Sequence, residues 1–198
     1  MRQAVIAAIL LATLAAPAAA IEPTVAAGES LETRLDGDFN GDGKADLAYI
    51  AAAEDWRELR VVIAGRDGVE ALDLGTDPLG AGELKMVGNV LTFEDLTGGT
   101  TAYASTRRYR YDGIRNKMRL IGLDVTFYSR TFAHDGYETS WNLLTGEGTA
   151  AELRLTDGAQ EDRTYDKAHQ VSFRRRTRPV WLTDTPDPET FLEENREG

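Results

Sequence analysis

The sequence predicts a mainly β protein: an antiparallel meander forming a curved sheet or open barrel, with one loop-built hairpin near its N-terminus and a short C-terminal helix. Three observations predict it. Apolar and polar residues alternate with a period of two along several segments. Turn residues (Gly, Asp, Asn and Pro) separate those segments at short spacing, as in a meander. Helix-start chemistry appears near the C-terminus, in TPDPETFLEEN, and marks a short helix.

The chain opens with Arg2, an apolar segment from Ala4 to Ala16, and the small residues Ala18, Ala19 and Ala20. This order reads as a secretory signal peptide over residues 1–20, cleaved between Ala20 and Ile21. The apolar segment falls short of the ~20 residues that a membrane-spanning helix needs. No cysteine follows it, which excludes a lipid anchor on cysteine. The expected location is therefore the periplasm or the extracellular medium, with no membrane span. Residues 21–34 are polar and weakly patterned, and read as a lead-in.

About 175 residues remain after cleavage, enough for one domain with a self-sufficient core. Its β-rich part is expected over residues 35–185. ADLAYIAAA and LRVVIAG read as strand, turn, strand; VEALDLG is a third short strand and TDPLGAGE a loop. NVLTFEDL is a strand closed by LTGGT. In TAYASTRRYRYD, Tyr103, Ser105, Arg107, Tyr109 and Tyr111 fall on one face, with Ala104, Thr106, Arg108 and Arg110 opposite. DGIRN then turns the chain into KMRLIGLDVTFYSR, where Ile121, Leu123, Val125 and Phe127 share a face, completing a long hairpin. A turn at HDGY leads to ETSWNLLTG, AELRLTDG and QVSFRRRTRPVWL, which continue the meander. Residues 186–198 are read as the helix and an acidic tail. Asp187 stands at the N-cap, Pro188 at the first helical position, and Phe191 and Leu192 form the apolar contact.

With 22 basic and 33 acidic residues, the chain carries a net charge of −11. Such a surface disfavours nucleic acid, whose binding needs clustered positive charge, and suits divalent cations. An exported chain without cysteine must draw its stability from its core and from any metal it binds.

The stretch DGDFNGDGKADLAYI, residues 36–50, crowds carboxylates directly before a strand. Asp38, Asn40 and Asp42 fall at positions 1, 3 and 5 of a calcium loop, with Gly43 at 6, the Lys44 carbonyl at 7 and Asp46 at 9. Calcium takes six to eight hard oxygen ligands, and a divalent ion makes three neighbouring carboxylates tolerable. Position 12, a glutamate in an EF-hand, is Tyr49 here, and a strand follows instead of a helix; Asp46 is then the expected strong carboxylate. The competing reading is a metal-free turn of Asp, Asn and Gly.

Together with LRVVIAG and RDGVEALDLG, this stretch resembles a single FG-GAP or VCBS-type calcium-binding repeat over residues 36–75. The resemblance implies a calcium ion held between strands by Asp38, Asn40, Asp42, Lys44 through its carbonyl, and Asp46. It covers one repeat, whereas a propeller needs at least four blades of four strands. The second half is diffusely similar to small exported bacterial proteins that carry one such repeat and have no assigned activity.

Other residues offer chemistry. His134, beside Asp135, offers a general base or a simple hairpin turn, and His169 has no recognisable partner. Asp124 and Glu138 are the first candidates for a pair of glycosidase-type acids. On one extended strand, Arg174, Arg176 and Arg178 would share a face as an anion patch, with Arg107 close by if the sheet closes. Trp56, Trp141 and Trp181 are a possible sugar platform or ordinary core. The resulting expectation is an exported, non-catalytic, calcium-stabilised β-domain whose partner is an envelope protein or glycan. The alternative is an envelope hydrolase acting on glycan or peptide through paired carboxylates.

Overall fold

A computed structural model describes residues 20–159, 162–176 and 178–196; the signal-peptide reading, apart from Ala20, lies outside them. Of the described residues 53% are strand, built into antiparallel sheets with one short C-terminal helix. The strands form two sheets. β1 (Ser30–Gly37), β2 (Asp46–Ala52), β3 (Arg57–Val62) and β4 (Glu70–Asp73) make a four-stranded meander in chain order. The second sheet has eight strands: β5 (Glu83–Val87), β6 (Val90–Gly98), β7 (Thr101–Asp112), β8 (Lys117–Ser129), β9 (Gly136–Asn142), β10 (Glu147–Leu155), β11 (Tyr165–Arg174) and β12 (Val180–Trp181). Strands β5 to β11 follow one another in order, so the sheet stays open at those two edges and no barrel closes among the described residues. The short β12 pairs with Leu120 and Arg119 of β8, beside the stretch of β8 that β9 pairs with from Gly122 onward.

One apolar core lies between the sheets. The first contributes Phe39, Ala48, Ile50, Leu59, Val61 and Leu72; the second contributes Leu91, Phe93, Tyr109, Met118, Leu120, Leu123 and Val125. The continuous apolar run of β2 follows from burial on both its faces. Ala48 and Ile50 enter the main core, while Leu47, Tyr49 and Ala51 form a second cluster with Ile21, Trp56 and Val62. Thus part of the expected lead-in covers a sheet: the Tyr49 hydroxyl donates to the Thr24 carbonyl (3.2 Å) and Arg34 to that of Ile21 (3.3 Å). From Ser30 onward it is strand, the start of β1.

Alternation in β7 places Ser105, Arg107 and Tyr109 inside, as the sequence implies. Its partner departs from strict alternation. A bulge between the pairs Arg108–Gly122 and Tyr109–Leu120 leaves Ile121 unpaired to β7 and half-buried, so that Met118 and Leu120 are buried before it and Leu123 and Val125 after it. The helix α1 (Pro188–Arg196) begins as its sequence dictates: the Asp187 carboxylate accepts from the Thr190 amide (2.9 Å). Phe191 stacks on Trp141 with ring centroids 5.6 Å apart, and Leu192 is buried beside it, which fixes the helix on the eight-stranded sheet.

Candidate functional site

Residues 38–45 connect β1 to β2, closing a hairpin whose last pair is Gly37–Asp46. Positive φ at Gly41 (78°) and Gly43 (82°) lets the chain curl back on itself, a shape that side chains with a Cβ resist. Phe39, fully buried, anchors the loop in the core. Side-chain oxygens then hold the main chain from within. The Asp38 carboxylate accepts from the amides of Gly41 (2.7 Å), Asp42 (3.1 Å) and Gly43 (2.8 Å). Asn40 Oδ1 accepts from Asp42 N (2.8 Å), and Asp42 Oδ1 from Lys44 N (2.9 Å).

Asp46 behaves differently from its four neighbours in the pattern. It is fully buried, and its carboxylate takes the amides of Phe39 (2.8 Å), Asn40 (3.3 Å) and Ala64 (2.8 Å). This one side chain ties the loop to the turn after β3. Burial pushes its carboxyl above the ordinary value, the three amides oppose that shift, and the charge of Asp38 adds to it. Asp42, at the surface, is shifted the other way, chiefly by the Lys44 amide.

Each carboxylate oxygen has two lone pairs, so Asp38, Asn40 and Asp42 keep capacity for a cation after serving the loop amides. The exposed Lys44 ammonium lies 3.6 Å from the Asp42 carboxylate. Among the described residues, no three His, Asp or Glu side chains already converge as a metal-binding group. Asp38, Asn40 and Asp42 thus keep oxygen lone pairs that a calcium ion could use, whereas Asp46, as placed, serves main-chain amides.

A second polar centre was not anticipated from the sequence. Arg57, 2% exposed, donates to Glu32 (2.7 and 2.6 Å) on β1 and to Asp95 (2.9 and 2.9 Å) on β6, crossing from one sheet to the other. Burial works against the guanidinium's charge, but the two carboxylates raise its pKa well above the ordinary value. Glu32 also accepts from the Gly82 amide (2.6 Å). A Cβ at Gly82 would stand 2.7 Å from Phe93, 2.8 Å from Ile50 and 2.9 Å from Arg57, so this approach needs glycine. No local pattern signals the trio; Arg57 sits in the charged EDWRE that reads as an interruption between strands.

The remaining candidates are dispersed. Asp124 and Glu138 lie on the adjacent strands β8 and β9, where Asp124 bonds to Arg108 (2.6 Å) and Ser140 (2.6 Å) and Glu138 pairs with Lys167 (2.5 Å). His134 faces the carbonyl, not the carboxylate, of Asp135 (2.6 Å), and Thr101 Oγ1 (2.9 Å), as a turn residue does. His169 sits with φ 46° near the irregularity between β10 and β11. β11 ends at Arg174, so Arg176 and Arg178 fall outside any strand and the expected shared face is not formed by strand alternation. Arg107, on β7, is separated from β11 by three intervening strands because the sheet stays open. Trp56 belongs to the outer cluster under Arg60, Trp141 packs on α1, and Trp181 lies on β12, so the three share no platform.

Among the described residues no helix is long and apolar enough to cross a membrane. Comparison with known proteins finds no matching family model, no matching curated protein and no matching solved structure.

Proposed function

We propose that this is an exported, non-catalytic β-domain protein, periplasmic or secreted, that is stabilised by calcium and binds or supports a protein or glycan of the cell envelope. The observation that carries the reading is charge without compensation. Asp38, Asp42 and Asp46 meet in one short loop, and among the described residues the only cation paired with any of them is the exposed Lys44. Among the described residues Asp38 and Asp46 answer only to amides, and the charge of Asp38 disfavours ionisation of Asp46. A divalent ion on Asp38, Asn40, Asp42 and the Lys44 carbonyl relieves that repulsion and locks the first hairpin. The resemblance of residues 36–75 to an FG-GAP or VCBS-type repeat points the same way. The hydrolase alternative draws no comparable support, because Asp124 and Glu138 are already engaged in cross-strand bonds.

Thermal melts of the mature protein in calcium, magnesium and chelator test the reading. Extracellular calcium modules have affinities of about 10⁻⁴–10⁻³ M. At about 10 mM calcium the midpoint should rise by roughly 3–10 °C, and magnesium should do less. Asp42→Ala should remove most of that rise and melt close to the parent in chelator. An Asp42→Ala protein that melts like the parent in saturating calcium would refute the site.

A further inference from the structure

The inner face of the eight-stranded sheet changes character along β6 and β7. Their register pairs Leu91 with Tyr109, Phe93 with Arg107, Asp95 with Ser105 and Thr97 with Tyr103. The first pair is fully buried apolar core, and the last two pairs are polar. Arg107 stands at the boundary, 5% exposed, with its guanidinium carbon 5.1 Å from the Phe93 ring centroid. A cavity of about 290 Å³ opens over the polar end, bounded by the chain from the end of β4 and by the segment that leads into α1.

Two buried arginines line this part of the molecule and are treated oppositely. Arg57 spends its donors on Glu32 and Asp95. Arg107 Nε and Nη1 are buried with no hydrogen-bond partner, and Arg107 makes no ion pair among the described residues. Guanidinium does not deprotonate in proteins, so the charge persists, and among the described residues the face of Phe93 offsets its desolvation only in part while no carboxylate pairs with it. A planar donor fork of this kind matches a carboxylate. The cavity mouth has the opposite sign: Asp73 and Asp77 line it, both exposed and without an ion pair among the described residues. Glu189, also exposed, lines the cavity too; it accepts from the Tyr103 hydroxyl (3.1 Å) and adds further negative charge.

A phosphate or other multiply charged anion would be repelled by this acidic rim, and a simple amine would leave Arg107 unanswered. A molecule with one carboxylate and one amine satisfies both. Pockets for small ligands run from about 300 to 1,000 Å³, so this one suits a ligand of amino-acid size and excludes a polymer chain. We propose that the cavity binds a small zwitterion of amino-acid type, its carboxylate on Arg107 and its amine between Asp73 and Asp77. This does not depend on the calcium loop.

Isothermal titration of the full mature protein at fixed calcium, with glycine, β-alanine, 4-aminobutyrate and lysine, tests it by stepping the carboxylate–amine separation. Acetate, propylamine and inorganic phosphate are the controls. At about 10 mM ligand, enough to fill even a millimolar site, at least one zwitterion should bind and the three controls should not. Asp73→Asn/Asp77→Asn changes only exposed side chains; it should keep the ligand-free melting point and weaken zwitterion binding about tenfold or more. Arg107→Gln, judged only where its ligand-free melt matches the parent, should abolish binding. No binding by any of the four, acetate or phosphate binding as tightly as a zwitterion, or undiminished binding by the double variant would each overturn the proposal.

Discussion

The aspartate loop and the Glu32–Arg57–Asp95 trio both gather carboxylates, and the fold handles them by opposite means. In the loop the acids are near neighbours in sequence, and the backbone supplies the donors: seven amide bonds from within the loop and one from Ala64 reach Asp38, Asn40, Asp42 and Asp46. In the trio the charges are 25 and 38 residues apart, and one guanidinium answers both acids. Amides carry partial charge and leave the loop anionic, which is why it suits an added cation. A buried arginine between two acids leaves a single negative charge and closes the site to further ligands. Arg107, a few residues along the same inner face, is the trio's counterpart without the acids.

The largest effect expected of any change that breaks this contrast comes from Arg57→Ala. Two carboxylates would remain buried without their cation, and removing one partner of such a pair costs about 3–5 kcal/mol. Urea denaturation measures it, and a loss under about 1 kcal/mol would mean the trio does not clamp the sheets. Asp46→Ala comes next. It strands the buried Phe39 amide and the Ala64 amide, at about 1–3 kcal/mol, and the loss should appear in chelator as well as in calcium. That separates it from Asp42→Ala, whose effect should need calcium. Equal behaviour of the two variants in chelator would erase the distinction between the structural and the ligating aspartate.

The smallest effect is a pH dependence. Burial alone would raise the Glu32 pKa, but Arg57 and the Gly82 amide hold it below its ordinary 4.5. The folded state therefore releases this proton more readily than the unfolded chain. The resulting stability is present above pH 4.5 and is lost as pH falls through the lower folded pKa. Midpoints measured from pH 6 down to 3 should fall less steeply for Glu32→Gln than for the parent. Parallel curves would show that Glu32 does not carry the acid sensitivity.

By itself the sequence determined what short-range physics controls. The loop spacing at Asp38, Asn40, Asp42 and Gly43, the Asp187–Pro188 helix start and the alternation of β7 were all legible, because each is settled within a few residues. Edge strands β1 and β5 were not, since little of either is buried and the apolar residues at their alternate positions, Leu31 and Leu35 or Leu84 and Met86, are too few to mark a strand. Only the tertiary structure divided the strands into two sheets around one core, turned Asp46 inward, and reset the face of β8 at Ile121. It also gave Arg57 two acids and Arg107 none. Those outcomes depend on which distant side chains meet once water is excluded, and a charge's sequence neighbours carry no record of that encounter.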